Sequence, residues 1–216
     1  LSGIEHSRRR NLYGRHLVGA ALTKRIGAIC KLANEMIDEW FNPASGMTEY
    51  DPATGKYTME LGKAFANEFP IRVVCQVLGF PDEARDKFYY WYKYMMGGIG
   101  GRDYEQKGLM ARQDLEDFVE NIVEERRLKP NFLLDDEGNE VAPDIISELC
   151  KTVVDGDVLS TEEITSNIAL IVGGGGETTR GAILNMWYLL LQHPDQMEAV
   201  LNNDPLWDAA FHETLR

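Results

Sequence analysis

A carboxylate and two hydroxyls stand side by side at Glu177, Thr178 and Thr179, directly after the glycines Gly173, Gly174, Gly175 and Gly176. A hydroxyl that can hold a proton, next to an acid that can resupply it, is the minimum for a proton relay. Bare backbone beside it lets a flat ligand or a second helix approach closely. Two further pairs have chemical spacing. His6 and Arg10 fall four residues apart, which on a helix puts both on one side, about 6 Å apart. That suits a carboxylate, with Arg able to grip it through two hydrogen bonds, although a solvated helix face has the same spacing. Glu213 and Arg216 are i, i+3 neighbours able to form an ion pair. His212-Glu213 does not begin a zinc motif, because HExxH needs histidine where Arg216 stands.

The elements that must position these residues read mostly as helices. Residues from about 5 to 40 give two helical stretches joined around 17–22 and ended by Asn42-Pro43. Residues 47–61 alternate around DPATGK and read as a β-hairpin. AFANEFPIRVVCQVLG reads as a helix stopped by Gly79, and Pro81 opens the next, PDEARDKFYYWYKYMM. The glycine-rich GGIGG at 97–101 breaks that helix. A charged helix over about 105–128 ends before Pro130, LLDDEGNEVAP reads as a loop, and Pro143 opens a short helix.

The glycines could instead form a phosphate loop. That reading needs IALIV to be a strand, yet Ser160 and Glu163 make a capping box that starts a helix. No Lys-Ser/Thr follows the glycines, and a threonine stands where the last glycine of GxGxxG belongs. Ile164, Ile168 and Ile171 or Val172 share a helical face, and Ile183, Trp187, Leu190 and Leu191 continue the pattern. The spacing predicts one helix of about 30 residues, roughly 45 Å long, with the glycines at its middle. Those glycines cost it roughly 3–4 kcal/mol relative to alanine.

Composition bounds the function. The chain has 216 residues, 44% hydrophobic and 26% charged, with net charge −13. That charge argues against nucleic acid as the main partner. No apolar run approaches the roughly 18 residues of a membrane helix. Residues 1–25 carry six basic side chains (Arg8, Arg9, Arg10, Arg15, Lys24, Arg25) against Glu5, a local excess of +5 in an otherwise acidic chain. Such a face suits an anionic partner or plain solvent. Cys30, Cys75 and Cys150 lie in helix-like apolar stretches without CxxC spacing. They read as small buried hydrophobes in a reducing cytosol.

Taken in order, several stretches resemble the cytochromes P450, the haem-thiolate monooxygenases. Gly174, Gly175, Gly176, Glu177, Thr178 and Thr179 resemble that family's oxygen-binding helix. GIEHSRRRNL resembles the His-x-x-x-Arg helix holding the haem propionates, matching His6 and Arg10. FPIRVVCQVLGFP resembles the helix and turn before the substrate-roof helix, HPDQ follows the oxygen helix as in the family, and HETLR supplies Glu-x-x-Arg at Glu213 and Arg216.

The resemblance implies a mainly α fold, a partial P450 fold with a long central oxygen-binding helix and a small β-hairpin. It implies that residues 1–216 are a single domain, the central part of the catalytic domain, with the N-terminal strands and C-terminal cysteine loop absent. The haem-ligand cysteine is then expected beyond Arg216, so no metal ligand lies in this chain. It implies haem b (iron) as cofactor, with Gly174, Gly175, His6 and Arg10 binding it, Glu177 and Thr178 catalytic, and Glu213 with Arg216 structural. The partners implied are O2, a small apolar or aromatic substrate, and a ferredoxin or flavoprotein donor relaying NAD(P)H electrons at the basic N-terminal helix face. The bacterial soluble members are the most similar, implying a cytoplasmic protein without membrane or nucleic-acid contacts. The aromatic helix would roof the substrate pocket, with GGIGG as its hinge. Two alternatives stand beside this: a non-enzymatic helical fragment or interaction module, and an isoprenoid-synthase-like enzyme using Asp135 and Asp136 to hold magnesium diphosphate. The latter lacks a second acid at the right spacing.

Overall fold

The computed structural model describes residues 3, 7, 10–12, 14, 17–97, 102–134, 137–154 and 156–216. Helices dominate: α1 (Gly19–Trp40), α2 (Glu68–Leu78), α3 (Ala84–Gly97), α4 (Arg102–Leu128), α5 (Ile145–Lys151), α6 (Thr161–Gly175), α7 (Glu177–Gln192), α8 (Pro194–Leu201) and α9 (Leu206–Thr214). The strands form three antiparallel pairs among the described residues: β1 (Thr48–Asp51) with β2 (Lys56–Met59), β3 (Leu133–Leu134) with β4 (Glu140–Val141), and β5 (Val153–Val154) with β6 (Asp157–Val158). The first is the hairpin expected from alternation, in register Thr48↔Met59 through Asp51↔Lys56. The other two are short ladders inside stretches whose sequence carries no strand period, and β3–β4 falls in the expected acidic loop.

The chain forms two compact units, residues 1–33 with 71–174, and residues 34–70 with 175–216. In the first, each helix contributes one stripe. Ile71, Cys75 and Leu78 lie on α2, Ala84, Phe88 and Trp91 on α3, Leu115, Val119 and Ile122 on α4, and Ile164, Ile168 and Val172 on α6. These spacings of three and four are the period of a half-buried helix. Full burial of each large side chain stabilises by about 1.5–3 kcal/mol. The aromatic helix is thereby sorted by face. Phe88, Trp91 and Tyr92 enter the core, and Tyr89 stays exposed. The Trp91 indole N–H donates to Asp114 Oδ2 at 2.7 Å, so the buried ring leaves no unpaired donor.

Helix ends follow local chemistry. Gly79, at φ +79°, closes α2, where the Phe80 N–H reaches Cys75 O at 2.9 Å and the Gly79 N–H reaches Gln76 O at 3.3 Å. The regular helix α3 starts at Ala84, not at Pro81. A turn intervenes, with the Ala84 N–H bonded to Pro81 O at 3.0 Å and the Arg85 N–H to Asp82 O at 3.1 Å. The cap of α5 is Asp144, whose Oδ1 accepts the Ser147 N–H at 2.7 Å. The capping box of α6 is complete: Ser160 Oγ accepts the Glu163 N–H at 3.1 Å and Glu163 Oε2 accepts the Ser160 N–H at 2.9 Å.

In the second unit a π-helical turn, Gly62–Ala66, precedes α2, closed by the Asn67 N–H on Gly62 O at 2.9 Å. Trp40 Nε1 donates to Ala64 O at 3.2 Å, its ring packs edge-on against Phe65 at 5.5 Å, and Phe65 stacks on Phe69 at 4.7 Å. The Thr48 hydroxyl donates to Trp40 O at 2.7 Å, anchoring the start of β1. Trp187 of α7 meets Trp207 of α9, ring centroids 6.1 Å apart.

Candidate functional site

The predicted single helix over residues 161–192 is two helices. α6 ends at Gly175 and α7 begins at Glu177, with Gly176 between them at φ −87°, ψ −72°. A run of glycines is where a long helix most cheaply loses its hydrogen-bond ladder. The Gly176 carbonyl still accepts the Arg180 N–H at 3.0 Å, so α7 starts immediately. Gly174 is exposed on α6, and a Cβ built on it would meet no atom within 4 Å. Close packing inside the protein therefore does not require a glycine there, and the bare helix surface is open to a flat apolar group. Gly175 is half-buried.

Glu177, Thr178 and Thr179 are exposed in the first turn of α7, where an acid is favoured by the helix dipole. Glu177 Oε1 pairs with Arg180 Nη1 at 3.0 Å. The Arg180 Nε also donates to Asn67 Oδ1, just beyond the π-helical turn. The guanidinium thus spans a carboxylate on its own helix and an amide 113 residues earlier in the chain. The first of these contacts has ordinary i, i+3 helical spacing. Nothing local marks Asn67.

His6 lies outside the described residues, as do Arg8, Arg9 and Arg15 of the basic face, Gly98–Gly101 of the expected hinge, and Asp135 with Asp136. Arg10 and Lys24 are exposed. Glu213 and Arg216 form an ion pair, Oε2 to Nη1 at 3.2 Å, with both side chains largely exposed. The three cysteines are free thiols, and they are not uniformly buried as their apolar settings suggested. Cys75 is buried, Cys150 half-buried and Cys30 exposed. Helix α1 explains the exception, since Leu22, Ile26 and Ile37 on it are also exposed and only Met36 is buried. All three thiols sit on helices, none in a glycine-bearing loop open to a ligand. Among the described residues, no cluster of three histidine, cysteine or acidic side chains could hold a metal ion, and no helix is long and apolar enough to cross a membrane.

Comparison with known proteins gives the family. The cytochrome P450 family profile matches residues 76–205. A curated relative from Bacillus subtilis, "Cytochrome P450", is 32% identical over 158 residues, 73% of this chain and 36% of its own length. The vitamin D(3) 25-hydroxylase of Pseudonocardia autotrophica is 29% identical over 94% of this chain and 45% of its own. Among solved structures, the bacillaene polyketide synthase cytochrome P450 PksS of Bacillus subtilis superposes with a TM-score of 0.79 at 23% identity, covering 99% of this chain and 48% of its own. The chain thus spans less than half the length of these relatives.

Proposed function

Because the chain belongs to the cytochrome P450 family, we propose that it is the central part of a single catalytic domain. In the intact protein that domain inserts one atom of O2 into an apolar organic substrate, with electrons from a redox partner. The observation that carries this reading is the exposed Glu177-Thr178 pair opening α7 directly after a glycine run in which Gly174 leaves open space.

The residue types at these positions suit a haem. The bare backbone at Gly174 and Gly175 offers a flat macrocycle a surface without side chains, and Arg10 with His6 would hold its carboxylates through charge-assisted hydrogen bonds. Haem, when bound, supplies the iron at which O2 is activated. None of the three helical cysteines fits as its thiolate.

The chain's own residues would then manage protons. Thr178 presents a hydroxyl able to hold a water and to donate a proton beside the bare backbone of the glycine run. Glu177 is a carboxylate within the same turn, able to pass protons inward from solvent. Glu177 pairs with Arg180 and must leave that contact to turn toward Thr178. The exposed Lys24 and the basic residues before it suit an acidic ferredoxin or flavoprotein donor, with NAD(P)H as the source of electrons. The name of the Pseudonocardia relative agrees with an apolar substrate. A cytoplasmic location fits a family relation to bacterial members.

The test is Thr178→Ala in the intact protein. Haem content and the thiolate-type carbon monoxide spectrum should be unchanged, while product formed per NAD(P)H consumed falls about tenfold or more and peroxide rises to match. An unaltered product yield would remove Thr178 from proton delivery.

A further inference from the structure

A cavity of about 150 Å³ opens between the last turn of α4, the residues after it, and α5. Its described lining includes three cations, Arg126, Arg127 and Lys151, with Asn131, Ser147 and Cys150, and no carboxylate. In a chain of net charge −13, three converging cations are out of keeping with their surroundings.

Their hydrogen bonds leave donors in surplus. Arg127 is held by neutral acceptors, Thr161 Oγ1 at 2.9 Å and Leu159 O at 2.6 Å, which fix the guanidinium without cancelling its charge. Arg126 reaches Gly79 O at 3.4 Å and stands 3.9 Å from Asp144 Oδ2, while its buried Nε has no hydrogen-bond partner among the described residues. Lys151 Nζ pairs with Glu140 at the surface and sits 3.2 Å above the centre of the Phe132 ring. The Ser147 hydroxyl donates to Asn131 Oδ1 at 2.7 Å, which leaves the Asn131 NH2 as a donor. A buried donor without an acceptor is costly, and an anionic acceptor relieves it best.

We propose that this cavity is a binding site for a tetrahedral oxyanion, a phosphate or phosphomonoester. The volume corresponds to about five waters at ~30 Å³ each, room for a tetrahedral anion and the start of its substituent. Three cations arriving from two elements match several oxygens of a tetrahedral dianion better than the two of a planar carboxylate. Phe132 and Pro130 give a substituent an apolar wall. The site uses none of the residues assigned to haem or proton delivery, so it stands or falls apart from that reading.

Inorganic phosphate titrated into the intact protein, followed by phosphorus NMR line width, tests it. Saturable binding is expected, with a dissociation constant on the order of 1 mM. Lys151→Gln should weaken it about tenfold, and Lys56→Gln on the β2 strand should not. Alkylation supplies a second readout, since Cys150 lines the cavity and Cys30 is an exposed internal control. Burial pushes the Cys150 thiol above its ordinary value and Arg127 pulls it partly back, so the reaction is run at alkaline pH. Phosphate should slow the labelling of Cys150 and leave Cys30 unchanged. Phenyl phosphate binding more tightly than phosphate would support the apolar wall. Benzoate competing as well as phenyl phosphate would overturn the tetrahedral assignment. Absence of saturable broadening, or equal weakening by the two lysine variants, would overturn the site itself.

Discussion

Asp144 occupies the space that any side chain at Gly79 would need: a Cβ built on Gly79 would lie 2.2 Å from Asp144 Cγ. Asp144 is itself buried and committed, capping α5 through the Ser147 N–H at 2.7 Å. The turn that ends α2 and the residue that starts α5 are therefore one interlocked feature, although 65 positions separate them.

Gly79→Ala should accordingly destabilise the protein by about 2–4 kcal/mol, combining left-handed backbone strain with the clash. Urea denaturation measures it. Gly79→Ala with Asp144→Ala should lose less than the sum of the two single variants, because the clash is counted once and removed with the carboxylate. Additive losses would mean that Asp144 swings aside without cost.

Trp91 fills the core between α3 and α4 with no exposed surface and bonds Asp114 through its indole nitrogen. Trp91→Phe removes both the bond and part of the volume, and should cost about 2–4 kcal/mol. Asp114→Ala keeps the volume and leaves the indole N–H without its acceptor, so about 1–3 kcal/mol is expected. If Asp114→Ala is silent in thermal melts, solvent replaces the acceptor freely.

The turn of the hairpin has a titration signature. Asp51 accepts from the Thr54 hydroxyl at 2.7 Å and the Ala53 N–H at 2.9 Å, and these bonds hold its carboxyl below the usual aspartate value. A depressed folded value means that any stability from the turn is present above the unfolded pKa and is lost as pH falls through the folded one. Carbon-detected NMR titration should show Asp51 low, and Thr54→Val should move it upward. No upward movement would show that the hydroxyl contributes nothing.

Replacing Cys30, Cys75 and Cys150 together with serine should leave the thiolate-type carbon monoxide spectrum of the intact, haem-loaded protein unchanged. Each thiol lies on a helix, Cys75 within the core and Cys30 on an exposed face of α1. Loss of the red-shifted band, with the fold intact by circular dichroism, would assign the iron ligand to one of them.

What sequence reading recovers here depends on how far apart the interacting groups lie in the chain. Ser160 with Glu163 and the Tyr50–Tyr57 hairpin declare themselves within a few residues, and the apolar stripes of α2, α4 and α6 follow from period alone. The helix break at Gly176 escaped because propensity states the cost of a glycine run without saying where along it the ladder gives way. Pro143 drew the start of α5 two residues early, since the helix begins at Ile145 behind its cap, Asp144. The cluster around Arg126 and Lys151 came from residues that are unremarkable singly, with Arg127 and Lys151 separated by a loop and a ladder. Periodicity has no access to that convergence.

Arg180 holds Glu177 with one nitrogen and Asn67 with another. That shared grip makes an evolutionary statement. An aspartate at position 67 would draw the guanidinium toward itself and slacken its hold on Glu177, whereas leucine there would strand an arginine nitrogen. Positions 67 and 180 should therefore drift as a pair across related chains, with amide and guanidinium gained or lost together, and position 177 changing in their wake.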